Sequence, residues 1–178
     1  MLVRIAELAD AGAVLDLVRE AENGTDWLLH EVDELGMDPT LMTRRMVQFL
    51  ARHNCTVIVA EDEELGLVGY LFALGGHLAG IAHAVRINGL GVSPGARRRG
   101  VGSGLLRRLE SWARERGLHR LELRLMAPND VAHALYLRAG FRDEGREAHA
   151  YRVNGKFVDA LLMGKLLADE SAGGQEAS

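Results

Sequence analysis

The sequence predicts a single α/β domain (α+β in its strand order) built on a mixed, mostly antiparallel sheet splayed near residues 89–91, with helices on both faces. Three observations predict it. Short β-branched or alternating apolar runs are separated by amphipathic stretches of helical period. Two tight connections, Glu61-Asp62-Glu63-Glu64 and Asn154-Gly155, join neighbouring strands closely enough to require antiparallel pairing. Asn88-Gly89-Leu90-Gly91 then interrupts a longer strand, and glycine inside a strand marks a bulge or the close approach of a backbone or ligand. The 178 residues are enough for one compact core. We expect one domain over residues 1–168 and a disordered tail over 169–178, where apolar periodicity ends.

The elements follow in order. Arg4, Ile5 and Glu7 alternate as a first strand, and Asp10 caps a helix through Ala13, Leu15, Leu17 and Val18. Residues 23–37 lose periodicity and collect Asp26, Glu31, Asp33 and Glu34, which reads as a mobile acidic connection. Asp38-Pro39 restarts a helix as cap and first-turn proline, with Leu41, Met42, Met46, Phe49 and Leu50 on its apolar face. Residues 55–60 and 67–74 form a hairpin, and residues 82–92 form the long strand. A helix with Leu105, Leu106, Leu109, Trp112 and Ala113 on one face ends at Gly117. Residues 121–125 are a strand, Pro128-Asn129 opens a helix stopped by Gly140, and residues 141–152 and 157–167 flank the Asn154-Gly155 turn.

Composition excludes several classes. The formal charge is -4 and aromatic content 5%, a poor match for nucleic-acid binding. No apolar run reaches the roughly 18 residues of a membrane span, and the start lacks a signal peptide's pattern, so a cytoplasmic protein with no membrane partner is expected. The single cysteine, Cys55, lies in a β-branched run and reads as a core hydrophobe; no metal site is expected. Charge is uneven, however: residues 1–80 carry 5 basic and 14 acidic side chains, residues 81–178 carry 16 and 11. A basic half suits phosphates and an acidic half suits an amine.

The phosphate reading has a location. Residues 92–104 join a strand to a helix through Arg97-Arg98-Arg99-Gly100-Val101-Gly102-Ser103. The unpaired first-turn amides of that helix converge on its positive dipole end, where an anion can sit. Gly100 and Gly102 leave room for a phosphate, and Arg97, Arg98 and Arg99 add charge at the rim. No Gly-Lys-Ser/Thr follows, so it is not a Walker loop.

These residues resemble the GNAT superfamily of N-acetyltransferases. The strand end Val92-Ser93-Pro94 followed by Arg97-x-x-Gly100-x-Gly102 is similar to the family's central motif. Asn129, Ala132, Tyr136, Gly140 and Phe141 match its next motif in order and spacing. The closing segment, from Tyr151 through Asn154-Gly155 and Asp159 to Leu162-Met163, resembles uncharacterised or small-substrate bacterial members.

The resemblance implies acetyl-CoA as co-substrate and acetyl transfer to a small-molecule or peptide amine. It implies that backbone groups of Arg97, Arg98, Arg99, Gly100, Val101 and Gly102, with Ser103, hold the coenzyme diphosphate. Leu90, Gly91 and Val92 would pair with the pantetheine arm like an added strand, and Asn129 would contact the same arm. Tyr136 would be the general acid that protonates the departing thiolate. The family often uses a strand glutamate as base, but residues 82–88 contain no acid, so His83 is the titratable candidate, with Glu31 behind it. Glu31 and Glu34 are expected to border the acceptor pocket and favour cationic amines. The alternative function is a coenzyme A-binding sensor or scaffold without turnover, and a homodimer stays an open alternative.

Overall fold

The computed structural model describes residues 1–28 and 31–167, the side chains of Glu31 and Asp33 excepted. The tail expected over 169–178 lies outside the described residues. Seven strands form one sheet in the order β1-β2-β3-β4-β5-β7-β6. They are β1 (Leu2–Ile5), β2 (Cys55–Asp62), β3 (Gly66–Gly75), β4 (Ala84–Val92), β5 (Arg120–Met126), β6 (Arg142–Val153) and β7 (Lys156–Leu166). The helices are α1 (Ala11–Asn23), α2 (Glu31–Glu34), α3 (Pro39–Leu50), α4 (Val101–Glu115) and α5 (Asp130–Arg138). The β4–β5 pairing is parallel and the other neighbours pair antiparallel, so the expected mixed sheet is found.

Alternation along β2 divides the core into two layers. Val57 and Val59 pack with α1 and α3, while Ile58 and Ala60 belong to the cluster that receives Leu105, Leu109 and Trp112 of α4. Burial of each such large side chain contributes about 1.5–3 kcal/mol, enough to fix α4 against the sheet. Cys55 is buried in β2, as its β-branched setting predicts. Among the described residues no helix is long and apolar enough to cross a membrane.

Local signals explain most boundaries. Asp38 accepts from the Leu41 amide at 2.8 Å and Pro39 opens α3, so this helix starts where its cap predicts. Asn154 (φ 48°) and Gly155 (φ 79°) are both left-handed, as the β6–β7 hairpin turn requires. Two expectations change. Asp10 occupies the α1 cap position, but its carboxylate binds Arg4 at 2.7 and 3.0 Å and the Glu7 amide at 2.7 Å, because β1 brings a guanidinium within reach. Arg4 correspondingly holds the Asp10 carboxyl below its usual range, with burial opposing. The acidic connection, read as wholly irregular, contains the four-residue α2, too short to show a helical period.

Candidate active site

The sheet opens where β4 and β5 part. They pair from Ala84↔Arg120 to Ile87↔Leu123 and no further. Beyond that point β4 stays with β3, through Leu71↔Leu90 to Gly69↔Val92. Meanwhile β5 stays with β7, through Arg124↔Leu162 to Met126↔Ala160. The β3–β4 register places Gly89 opposite Phe72 and Ile87 opposite Ala73, so Asn88 is the extra residue of a bulge that turns β4 away from β5. Gly91 is needed where it stands: a Cβ there would lie 2.4 Å from the Tyr70 ring and 2.9 Å from Ala21. The sequence reading of a glycine-marked bulge therefore corresponds to the splay itself.

A cavity of about 160 Å³ fills the opening. One wall is Asn88, Gly89 and Leu90 of β4. The other is Leu123, Arg124 and Met126 of β5 with Asn129, Ala132 and Tyr136 at the start of and along α5. Trp27, Leu28, Val32 and Met37 line the rest of the cavity, together with Glu22, Arg45, Tyr70, Phe72 and Tyr151.

The loop before α4 is built by backbone conformation. A one-turn 3-10 helix (Pro94–Ala96) is followed by left-handed Arg98 (φ 60°) and Gly100 (φ 82°). The left-handed Arg98 costs of order 1–2 kcal/mol, a strain concentrated in this turn. Gly100 is the α4 cap residue and has no side chain to bond the first-turn amides, and that turn carries no acid. The N–H groups of Val101, Gly102 and Ser103 are thus available to an anion by helix geometry. Gly102 has a second duty, since its Cβ would come within 3.0 Å of Leu135, so α5 lies directly against this end of α4. Arg97 does not add its charge to the rim. Its Nε donates to the Val92 carbonyl at 3.3 Å and its Nη2 lies close to Gly24 at the end of α1, so it clasps the strand end instead.

Tyr136 is buried, packs edge-on against Phe141 with ring centroids 5.5 Å apart, and lines the cavity. Among the described residues its hydroxyl makes no hydrogen bond, yet it is not sealed from solvent, so it opens onto the cavity. Burial pushes the phenol above its usual pKa, which keeps it protonated. Asn129 Oδ1 accepts from the Ala132 amide at 3.1 Å as the α5 cap, and its NH₂ group remains for the cavity that the residue lines.

The proposed acid-base and acceptor residues are distributed differently. His83 is exposed at the opposite end of β4 from the bulge, where its carbonyl accepts from the His119 and Arg120 amides, and it does not line the cavity. Glu34 is exposed and also outside the lining, while the Glu31 side chain lies outside the described residues. The segment between α1 and α3 does border the cavity, but through Trp27, Leu28, Val32 and Met37. Sequence reasoning passed over Glu22, which is 5% exposed, lines the cavity and accepts from the Val32 amide at 3.2 Å. Its signal was an acid on the inward face of an amphipathic helix, immediately before the periodicity fails.

An open sheet edge, an uncapped helix end and a buried phenol beside both are now in one place. A family model described as the acetyltransferase (GNAT) family matches residues 21–141. The chain belongs to that family. N-alpha-acetyltransferase RimI of Mycobacterium tuberculosis is 40% identical over 85 residues, 48% of this chain and 51% of the relative. The chain thus spans about half the length of that curated relative. The crystal structure of ribosomal-protein-alanine N-acetyltransferase from Brucella melitensis superimposes with a TM-score of 0.83 at 28% identity, covering 94% of this chain and 100% of that one. The structure of yncA from Salmonella typhimurium with its cofactor acetyl-CoA gives a TM-score of 0.84 at 21% identity, covering 97% and 96%, a likeness of fold.

Proposed function

We propose that this GNAT protein transfers an acetyl group from acetyl-CoA to a primary amine by direct attack on the thioester. The observation that carries the reading is the Tyr136 hydroxyl, protonated and facing the cavity where the sheet is open. The first-turn amides of α4 hold the diphosphate, and the free edge of β4 at Leu90, Gly91 and Val92 receives the amide-bearing arm. A main-chain N–H of that edge meets the developing oxyanion. Tyr136 gives its proton to sulfur as the C–S bond breaks. At reference values, phenol near 10 against thiol near 8.5, that transfer is uphill by roughly 2 kcal/mol, and burial of Tyr136 steepens it, so the phenol acts on a thiolate held in place.

Glu22 is the carboxylate that draws the acceptor's ammonium proton, a role His83 is too remote to fill. Arg45 of α3 and Arg124 of β5 both line the cavity, so the pocket suits an amine bearing an anionic group better than a polycation. The test is thiol release from acetyl-CoA over a panel of amino acids, polyamines and peptides with free N-termini. Turnover with at least one amine, and faster turnover of anionic amines than of polyamines, is expected. Coenzyme binding by calorimetry with no turnover on any amine would instead favour the sensor reading.

A further inference from the structure

The edge hairpin of β6 and β7 carries a feature that the coenzyme reading does not use. Glu147 pairs with Ala160 and Tyr151 with Val158, so three residues of β6, Ala148, His149 and Ala150, stand against the single β7 residue Asp159. The two extra residues form a bulge. His149 sits there in the left-handed region (φ 53°), inside a strand and not at its turn, a conformation that L side chains disfavour. Asp159 holds it. Its Oδ1 accepts from the His149 amide at 2.8 Å and its Oδ2 from Arg146 Nε at 2.8 Å. The His149 amide and Arg146 together hold the Asp159 carboxyl below its usual range, so the clasp is charged at neutral pH.

The bulge has a consequence at the cavity. Four residues of regular strand would separate Glu147 from Tyr151 by about 13 Å, whereas their β7 partners are two residues, about 7 Å, apart. Both therefore reach one side chain. Glu147 pairs with Arg124 Nη2, and Arg124 Cζ lies over the Tyr151 ring, 5.4 Å from its centroid. Arg124 and Tyr151 line the acetyl-transfer cavity, and Nε and Nη1 of Arg124 make no hydrogen bond among the described residues. Asp159 is itself fixed from the cavity side, since its carbonyl accepts from the Ala127 amide at 2.9 Å in the connection that leads to Asn129.

We propose that Asp159 is a positioning residue for acceptor choice: it locks the β6 bulge so that Glu147 and Tyr151 hold Arg124 with its remaining N–H groups toward the cavity, where they bind the carboxylate of the acceptor amine. This deepens the acetyl-transfer reading above and rests on it. Arginine suits the task because a planar guanidinium can stack on an aromatic face, pair with one carboxylate and still present N–H groups to a second. Released from Glu147 and Tyr151, it would spread over many rotamers, and every contact with the acceptor would then carry the cost of ordering it. A clasp that served hairpin stability alone would affect all acceptors alike.

Thiol release from acetyl-CoA by the full chain, with a carboxylate-bearing amine and its carboxamide as paired acceptors, separates the two roles. Comparing the ratio of kcat/KM between native and variant protein cancels the acceptors' intrinsic reactivity. Asp159→Ala should raise KM for the carboxylate roughly tenfold, with kcat, KM for the carboxamide and acetyl-CoA affinity within about threefold of native. Adding His149→Gly to that variant should recover part of the loss, since glycine takes the left-handed conformation without a clasp. Glu147→Gln and Tyr151→Leu leave the bulge and its clasp in place and should each shift the ratio the same way as Asp159→Ala, which keeps the test open if that variant fails to fold. Equal loss on both acceptors in Asp159→Ala overturns the proposal, as does an unchanged ratio in both Glu147→Gln and Tyr151→Leu. A native protein that acetylates amines but none that bears a carboxylate overturns it too and leaves acetyl transfer standing, whereas turnover of no amine removes the acetyl-transfer reading and this proposal with it.

Discussion

Two helices begin near the cleft, α5 lining it through Asn129 and α4 lying behind Leu90 and Leu135, and their N-termini are finished differently. The α5 terminus is closed by Asn129, whose side chain satisfies the Ala132 amide. The α4 terminus has glycine at its cap, no side-chain bond and no acid in its first turn. Glycine at the cap costs only about a few tenths of a kcal/mol relative to a side-chain cap. The first turn of α4 packs through Gly102 on Leu135, in the second half of α5, and left-handed Gly100 (φ 82°) holds its cap position. The open end is the one to which the proposed function assigns the coenzyme diphosphate, and the closed end positions Tyr136, seven residues further on.

Closing the open end should have the largest effect. Gly102→Asp places a carboxylate in the first turn of α4, beside Leu135, where the proposed function puts the diphosphate. At a hundredfold excess of acetyl-CoA over its dissociation constant, binding stabilises the native protein by roughly 2.7 kcal/mol. The variant should melt within a few degrees of native without ligand and show no rise with it. A full ligand-induced rise in a thermal melt would move the diphosphate away from α4.

Next in size is the group the closed end positions. Tyr136→Phe keeps the ring against Phe141 and should lower kcat roughly a hundred- to ten-thousandfold, with acetyl-CoA affinity and melting temperature preserved. Turnover within about threefold of native across pH 6 to 9 would make Tyr136 a packing residue. Because burial raises its pKa above the ordinary 10.0, Tyr136 holds its proton more tightly folded than unfolded. Its contribution to stability is therefore complete below about pH 10 and declines above it. A kcat profile should accordingly show no alkaline loss from this group below pH 10.

The smallest effect divides Asn129 into its two roles. Asn129→Ala should cost about 1 kcal/mol in chemical denaturation and raise KM for acetyl-CoA several-fold. Asn129→Ser keeps a cap oxygen but loses the NH₂ group, so KM should rise while stability returns to near native. If serine restores both, Asn129 is a cap alone.

What the sequence made legible depended on whether the signal was local. Asp38-Pro39, Asn154-Gly155 and the glycines around the β4 bulge act within a few residues, and their elements stand where expected. The loop from Arg97 to Ser103 was legible for the same reason. Side-chain destinations set by distant pairing were not. Asp10 is diverted by Arg4, which arrives on another element. Arg97 turns away from its own loop to the end of α1, and Glu22 reaches the cavity only because α1 packs across β3 and β4. The acidic run at 31–34 suggested an ionic border to the pocket; among the described side chains the same segment lines the cavity with Trp27, Leu28, Val32 and Met37.

The parting of β4 from β5 bears on solubility. An unpaired strand on the rim of a sheet is a template for another chain's backbone, and proteins usually blunt it with charge, proline or brevity. Here unpaired backbone lies inside the sheet, between two strands that remain joined below it at Ile87 and Leu123. A second protein's strand, flanked by side chains on both faces, would have to thread a wedge narrowing to about 4.8 Å. A slender, unbranched chain with amides of its own fits that wedge. The geometry that the proposed function uses for the coenzyme arm also disfavours pairing with another chain through this edge, so β4 can stay glycine-rich without the gatekeeper residues that an exposed edge would need.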